Sequence, residues 1–108
     1  MLKGTIIENS LTNKDILKTL HIIKTWQDGN WILHSFQIDE GRIKELSESL
    51  NSDPWYIHLW EQGKDRVTVI FKNKIFTLNF SDKSTWTEAV NYGKSLGIPA
   101  EQLDFPID

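Results

Sequence analysis

Three imidazoles, His21, His34 and His58, are the side chains in this cysteine-free chain best suited to move a proton near neutral pH or to join in holding a metal. Zinc needs three or four such ligands to converge on one point. The three histidines fall on three different predicted strands. The pattern puts His34 on an apolar face, His21 on the other face of its own hairpin, and His58 on an open face, so no metal is expected. An acid–base site needs a histidine or carboxylate held in a cleft. The arrangement available is His58 with Glu61 or Arg66, and strand neighbours of this kind are more often surface pairs. Asp82-Lys83-Ser84-Thr85-Trp86 also groups polar side chains beside an aromatic, but helix capping accounts for all of them. The sequence contains no G-x-G-x-x-G, no P-loop, no G-x-S-x-G and no H-E-x-x-H. No catalytic set and no cofactor are assigned.

A binding surface has a firmer basis. Tyr56, His58 and Trp60 alternate along one predicted strand, so all three share a face. The segments 55–60, 67–71 and 75–80 read as three consecutive antiparallel strands. A two-residue loop at Asn73-Lys74 pairs Phe71 with Phe76, Val69 with Leu78 and Val67 with Phe80, gathering six apolar side chains on one face. The preceding hairpin has two readings. A three-residue loop at Gln62-Gly63-Lys64 sets Ile57 and Leu59 among those apolar residues and turns Tyr56, His58 and Trp60 outward beside Thr68 and Ile70. A two-residue loop at Gly63-Lys64 exchanges the faces and buries the aromatics. The first is preferred, because it keeps Ile57 and Leu59 in the core and buries no histidine. The candidate binding residues are then Tyr56, His58, Trp60, Arg66 and Ile70.

The remaining elements must position that face. Residues 3–9 read as a first strand. Thr12 caps a short helix reaching Leu20, with Leu11 stapled to Ile16. Residues 20–27 and 31–38 form a hairpin around Asp28-Gly29-Asn30, pairing Trp26 with Ile32 and Ile22 with Phe36, and setting Lys24 opposite His34. A second helix spans 39–51, with Asp39 as its cap, Ile43, Leu46 and Leu50 inward, and a Glu40–Lys44 pair. Asn51-Ser52-Asp53-Pro54 stops it. A third starts at Ser84 or Thr85 with a Thr85/Glu88 capping box and a stripe of Trp86, Ala89, Val90 and Gly93. Gly97 and Ile98 end it, and Phe105 docks the tail.

The order β-α-β-β-α-β-β-β-α predicts an α+β fold: one mainly antiparallel sheet of about six strands with helices packed on one face. Its first six elements follow the split β-α-β order. The 108 residues suit a single domain over 1–108. Zero cysteines and the lack of a signal-peptide plan point to the cytoplasm. No apolar run is long enough for a membrane span, so no membrane partner is expected. The formal charge of −3, without a block of Lys and Arg, counts against nucleic acid. Candidate partners are a protein, a second copy forming a homodimer, or a small ligand. The expected function is a non-catalytic binding or interaction module using an aromatic open sheet face. The alternative is a small enzyme with a His58-centred acid–base site.

Overall fold

The computed structural model describes residues 1–51 and 55–105. Six strands, β1 (Leu2–Ile7), β2 (His21–Asp28), β3 (Trp31–Ile38), β4 (Ile57–Trp60), β5 (Arg66–Phe71) and β6 (Lys74–Asn79), form one sheet in the order β2-β3-β1-β4-β5-β6. Every neighbouring pair is antiparallel. Two α-helices, α1 (Ile43–Ser49) and α2 (Thr87–Ser95), pack on it with several short 3-10 segments. The class is α+β, as the sequence predicts. β1 lies between β3 and β4 and runs antiparallel to both, so the parallel pair of a split β-α-β unit does not form. Among the described residues no helix is long and apolar enough to cross a membrane.

The helices do not share one face. Leu46 and Leu50, with Ile16 and Leu20 from the loop before β2, pack on Leu2, Ile6, Phe36, Ile38, Ile57, Leu59 and Ile70. On the opposite face Trp86, Ala89, Ile98, Leu103 and Phe105 cover Val67, Val69, Phe71 and Leu78. The reason lies in β5, where Val67-Thr68-Val69-Ile70-Phe71 is buried at every position. A strand apolar on both sides needs cover on both sides.

Three registers differ from expectation, each through the placement of one turn. The β5–β6 loop is Lys72-Asn73, with Asn73 at φ 58°, and Phe71 lies opposite Lys74. This is a two-residue slide, so the apolar faces survive: Val69 meets Phe76 and Val67 meets Leu78. At β4–β5 the pairs are Ile57 with Ile70, His58 with Val69, Leu59 with Thr68 and Trp60 with Val67. That is the alternative, two-residue register, and it turns Tyr56, His58 and Trp60 toward the α2 side. Ile57 and Leu59 are buried regardless, because α1 covers their face. In β2–β3 Asp28 pairs with Trp31 around Gly29-Asn30, with Gly29 at φ 61°. A bulge at Ile23 then restores the expected pairing at Ile22–Phe36. The extra residue carries Lys24 and Trp26 to the face opposite α1, and Thr25 rather than Lys24 stands across from His34.

The helix ends also differ in detail. Residues Lys14–Thr19 form a 3-10 segment capped by Asn13, whose side chain accepts from the Asp15 N–H at 3.2 Å. Asp39 makes no side-chain cap, and α1 begins only after a 3-10 turn. Glu40 pairs with Arg66 rather than Lys44, and Arg42 pairs with Glu45. The expected stop at Asn51–Pro54 extends into Ser52, Asp53 and Pro54, which lie outside the described residues. Asp82, not Thr85, caps the segment leading into α2. Thr85 instead ties that segment to β6 by accepting from the Asn79 N–H at 2.9 Å. α2 ends as predicted: Gly97 at φ 94° bonds back to Lys94, Ile98 bonds back to Gly93, and Ile98 is buried.

Candidate ligand-binding site

α2 and the C-terminal segment cover only the β4–β6 half of their face. On the β1-β3-β2 half, residues directly opposite one another across the ladders share the uncovered side. Trp26, Leu33 and Ile7 make one row, Lys24, Ser35 and Thr5 the next, and His21, Gln37 and Lys3 a third that reaches Trp60 of β4. Asp28 and Trp31 close the end. None of these side chains is buried, and Trp31 is 46% exposed.

Where the uncovered half meets the C-terminal segment, a cleft of about 290 Å³ opens. β1 supplies its floor with Thr5 and Ile7, and β4 and the residues before it supply Trp55, Tyr56 and His58. Ile98 and Gln102 form the far wall, and Trp31 from the start of β3 forms the near one. The Trp31 and Trp55 rings meet edge to face at 5.7 Å. Phe105 is fully buried behind the cleft and packs edge-on against Tyr56 at 5.6 Å and beside His58 at 5.9 Å. His58 stacks on Trp60 at 5.3 Å. The Tyr56 hydroxyl donates to the Gln102 carbonyl, pinning the C-terminal wall to β4. Burial raises the Tyr56 pKa above its ordinary value of 10.0, and the nearby Asp104 carboxylate adds to the shift, against an opposing hydrogen bond to the Asp104 backbone.

The residues singled out from sequence therefore scatter. Tyr56 and His58 line the cleft, and Trp60 stands at the junction of the two halves, partly covered rather than on an open face. Ile70 is fully buried, because α1 covers the β5 face expected to be open, and the corrected register takes Tyr56, His58 and Trp60 away from that face. Arg66 lies at the far end of the sheet in an ion pair with Glu40, beside a separate hollow of about 370 Å³ lined by Leu2, Glu61, Lys64, Asp65 and Arg66. Glu61 reaches the N-terminal amine at 3.5 Å, and Asp65 accepts from Ser81. Glu61 and Arg66 are thus both engaged with partners other than His58. Trp26, Trp31, Trp55, Lys24 and Thr5 were missed. The signal that could have found them is Asp28-Gly29-Asn30 read as a two-residue turn, which sends Trp26 to the face away from His34.

The histidines do not converge. His34 is on the α1 side, held between the Glu8 carboxylate at 3.0 Å and the Thr25 hydroxyl at 2.8 Å, while His21 and His58 lie on the other side of the sheet. Glu8 and Thr25 thus give His34 the polar partners its near-complete burial demands. Comparison with protein-family models, with curated proteins and with solved structures gives no match.

Proposed function

We propose that this chain is a small non-catalytic binding module of the cytoplasm, and that its ligand sits in the cleft between the uncovered half-sheet and the C-terminal segment. The observation that supports this most is the cleft's build. Trp31 and Trp55 line it edge to face, Thr5, His58 and Gln102 add polar groups to the lining, and Phe105 packs beside Tyr56 and His58. A mostly apolar concavity with a few convergent polar groups is the usual form of a ligand site. The cytoplasmic setting rests on the absence of cysteine. The competing reading is a small enzyme with His58 as its base, and it draws on the same cleft.

The test is a ¹H–¹⁵N NMR titration with a panel of nucleotides, oligonucleotides, sugars and short peptides. The expected result is saturable shifts at the Trp31 and Trp55 indole N–H groups and the Thr5 and His58 amides. A panel that leaves all of these unmoved, or moves only distant residues, would sink the reading. Chemical turnover of a bound ligand, lost in His58→Gln with binding kept, would favour the enzyme.

A further inference from the structure

We propose that the ligand of this face is single-stranded nucleic acid, a base stacked on Trp31 and its phosphates met by Lys3 and by Lys24, whose ammonium lies over the Trp26 ring at 5.6 Å. The inference rests on the cleft being a binding site and adds the chemistry of its occupant. Two independent features of the uncovered half support it. The first is aromatic. Trp31 is 46% exposed, Trp26 is partly exposed two strands' breadth from the cleft floor, and Trp55 stands against Trp31. Any base has a flat face that can stack on an indole, and each such stack strengthens binding roughly 5–150-fold. Sheet faces of about this breadth are where open-sheet RNA-binding domains stack two or three bases.

The second feature is charge. The chain as a whole is formally −3, yet the rows of this half-face carry Lys3 and Lys24 against a single carboxylate, Asp28, at the margin. Part of the negative charge lies off this face: Glu45 and Glu48 are on α1 across the sheet, and Glu88 is on α2. Glu101 and Asp104 flank the C-terminal wall. This polarity points the backbone of a bound strand toward Lys24 and Lys3 and its bases toward the cleft. A second copy docking face to face would set the same lysines against each other, which disfavours self-association here. A duplex, which is held through dense Lys and Arg contacts to phosphate, fits two lysines poorly. The other cations, Lys72, Lys74 and Arg66, form no rim here. Lys72 bonds to the Glu48 carbonyl of α1, Lys74 sits over Phe76 on the edge strand, and Arg66 pairs with Glu40.

The experiment is fluorescence anisotropy with the full chain and a labelled oligouridylate of about ten nucleotides, within the usual range of single-strand sites. Saturable binding is expected, with quenching of tryptophan emission. Engaging about two phosphates, one for each lysine, predicts log affinity falling with log salt at a slope of about −1.4. Trp31→Ala should weaken binding about five-fold or more. Lys24→Glu should weaken it about ten-fold, while Lys44→Glu, the same charge change on α1 at the opposite face, should alter it less than about two-fold. Each variant is first matched to the parent by melting temperature. No saturable binding overturns the inference. So does equal loss in Lys24→Glu and Lys44→Glu, or equal competition by a duplex. If sugars or peptides shift the Trp31 and Trp55 signals while the oligonucleotide does not, this inference fails and the binding-module reading stands. If nothing shifts them, both fail.

Discussion

Strands β4 and β5 lie between α1 on one side and α2 with the C-terminal segment on the other, whereas β1, β2 and β3 have cover on one side alone. The two halves differ in the grammar of their strands. From Val67 to Phe71 the chain is buried without a break. From Leu33 to Ile38 partly exposed and buried residues alternate strictly, with His34, Phe36 and Ile38 inward and Leu33, Ser35 and Gln37 outward. A continuous run marks a strand sealed on both faces, and an alternating one marks a strand with a face to spare. Within one sheet the first half supplies most of the rigidity, and the second supplies the surface on which a ligand can land.

The sharpest way to break this comparison is to empty the sealed half. Phe71 is fully buried among Tyr56, Phe76 and Tyr92. Phe71→Ala should cost about 3–5 kcal/mol in denaturant melts, and a loss below about 1 kcal/mol would mean that the β5 face is not packed as described. Next comes the seam. Gly4 of β1 faces β4, and a Cβ there would lie 2.5 Å from Leu59 Cδ2 and 3.1 Å from the His58 carbonyl. Gly4→Ala should cost about 1–3 kcal/mol by overpacking, and an unchanged melt would show that the two halves are not in close contact at this point.

A smaller effect is expected at the cleft wall. Tyr56→Phe removes the bond to the Gln102 carbonyl and should cost about 0.5–1.5 kcal/mol at neutral pH. It should also flatten the alkaline limb of stability. The folded hydroxyl ionises at higher pH than the unfolded one, whose ordinary value is 10.0, so above that value the unfolded state loses its proton first. Stability therefore falls as pH rises past about 10 in the parent. The part of that fall due to Tyr56 should vanish in the variant, and identical slopes in urea melts across this range would contradict the partial burial of the side chain. The smallest effect belongs to the open half: Trp26→Ala on edge strand β2 should change stability by less than about 1 kcal/mol. A loss as large as that of Phe71→Ala would erase the distinction between the halves.

Much of the fold was legible because apolar spacing and stop signals are local. The six strands, the α2 stripe and the Gly97–Ile98 ending follow from residues within a few positions of one another. The faces of β4 and of the outer part of β2 were not legible, because a one-residue difference in a turn inverts a strand. At β4 the argument for turning His58 outward assumed a sheet with one bare face. The unbroken run in β5 already contradicted that assumption, since Thr68 and Ile70 had to be buried against something. At β2 the turn at Gly29-Asn30 sets Trp26 opposite Leu33 on the uncovered face, and the bulge at Ile23, which has no sequence signature, returns Ile22 to the α1 face. Of the candidate site, the part carried by Tyr56 and His58 was therefore reached through the wrong register. The part carried by Trp26 and Lys24 was hidden by the turn and its compensating bulge.

β1, the first strand in the chain, occupies the middle of the sheet, with β3 on one side and β4 on the other. The hairpins β2–β3 and β5–β6 close over two-residue loops and can form early from local pairing. β1 cannot complete its hydrogen bonding until residues near 59 and 60 exist, since its contact with β4 is Lys3 to Trp60 and Gly4 to Leu59. In kinetic terms β1 is a keystone set from the start of the chain. During synthesis one of its edges stays open until β4 has been made, the interval in which a chain of this topology is most exposed to pairing with the wrong strand.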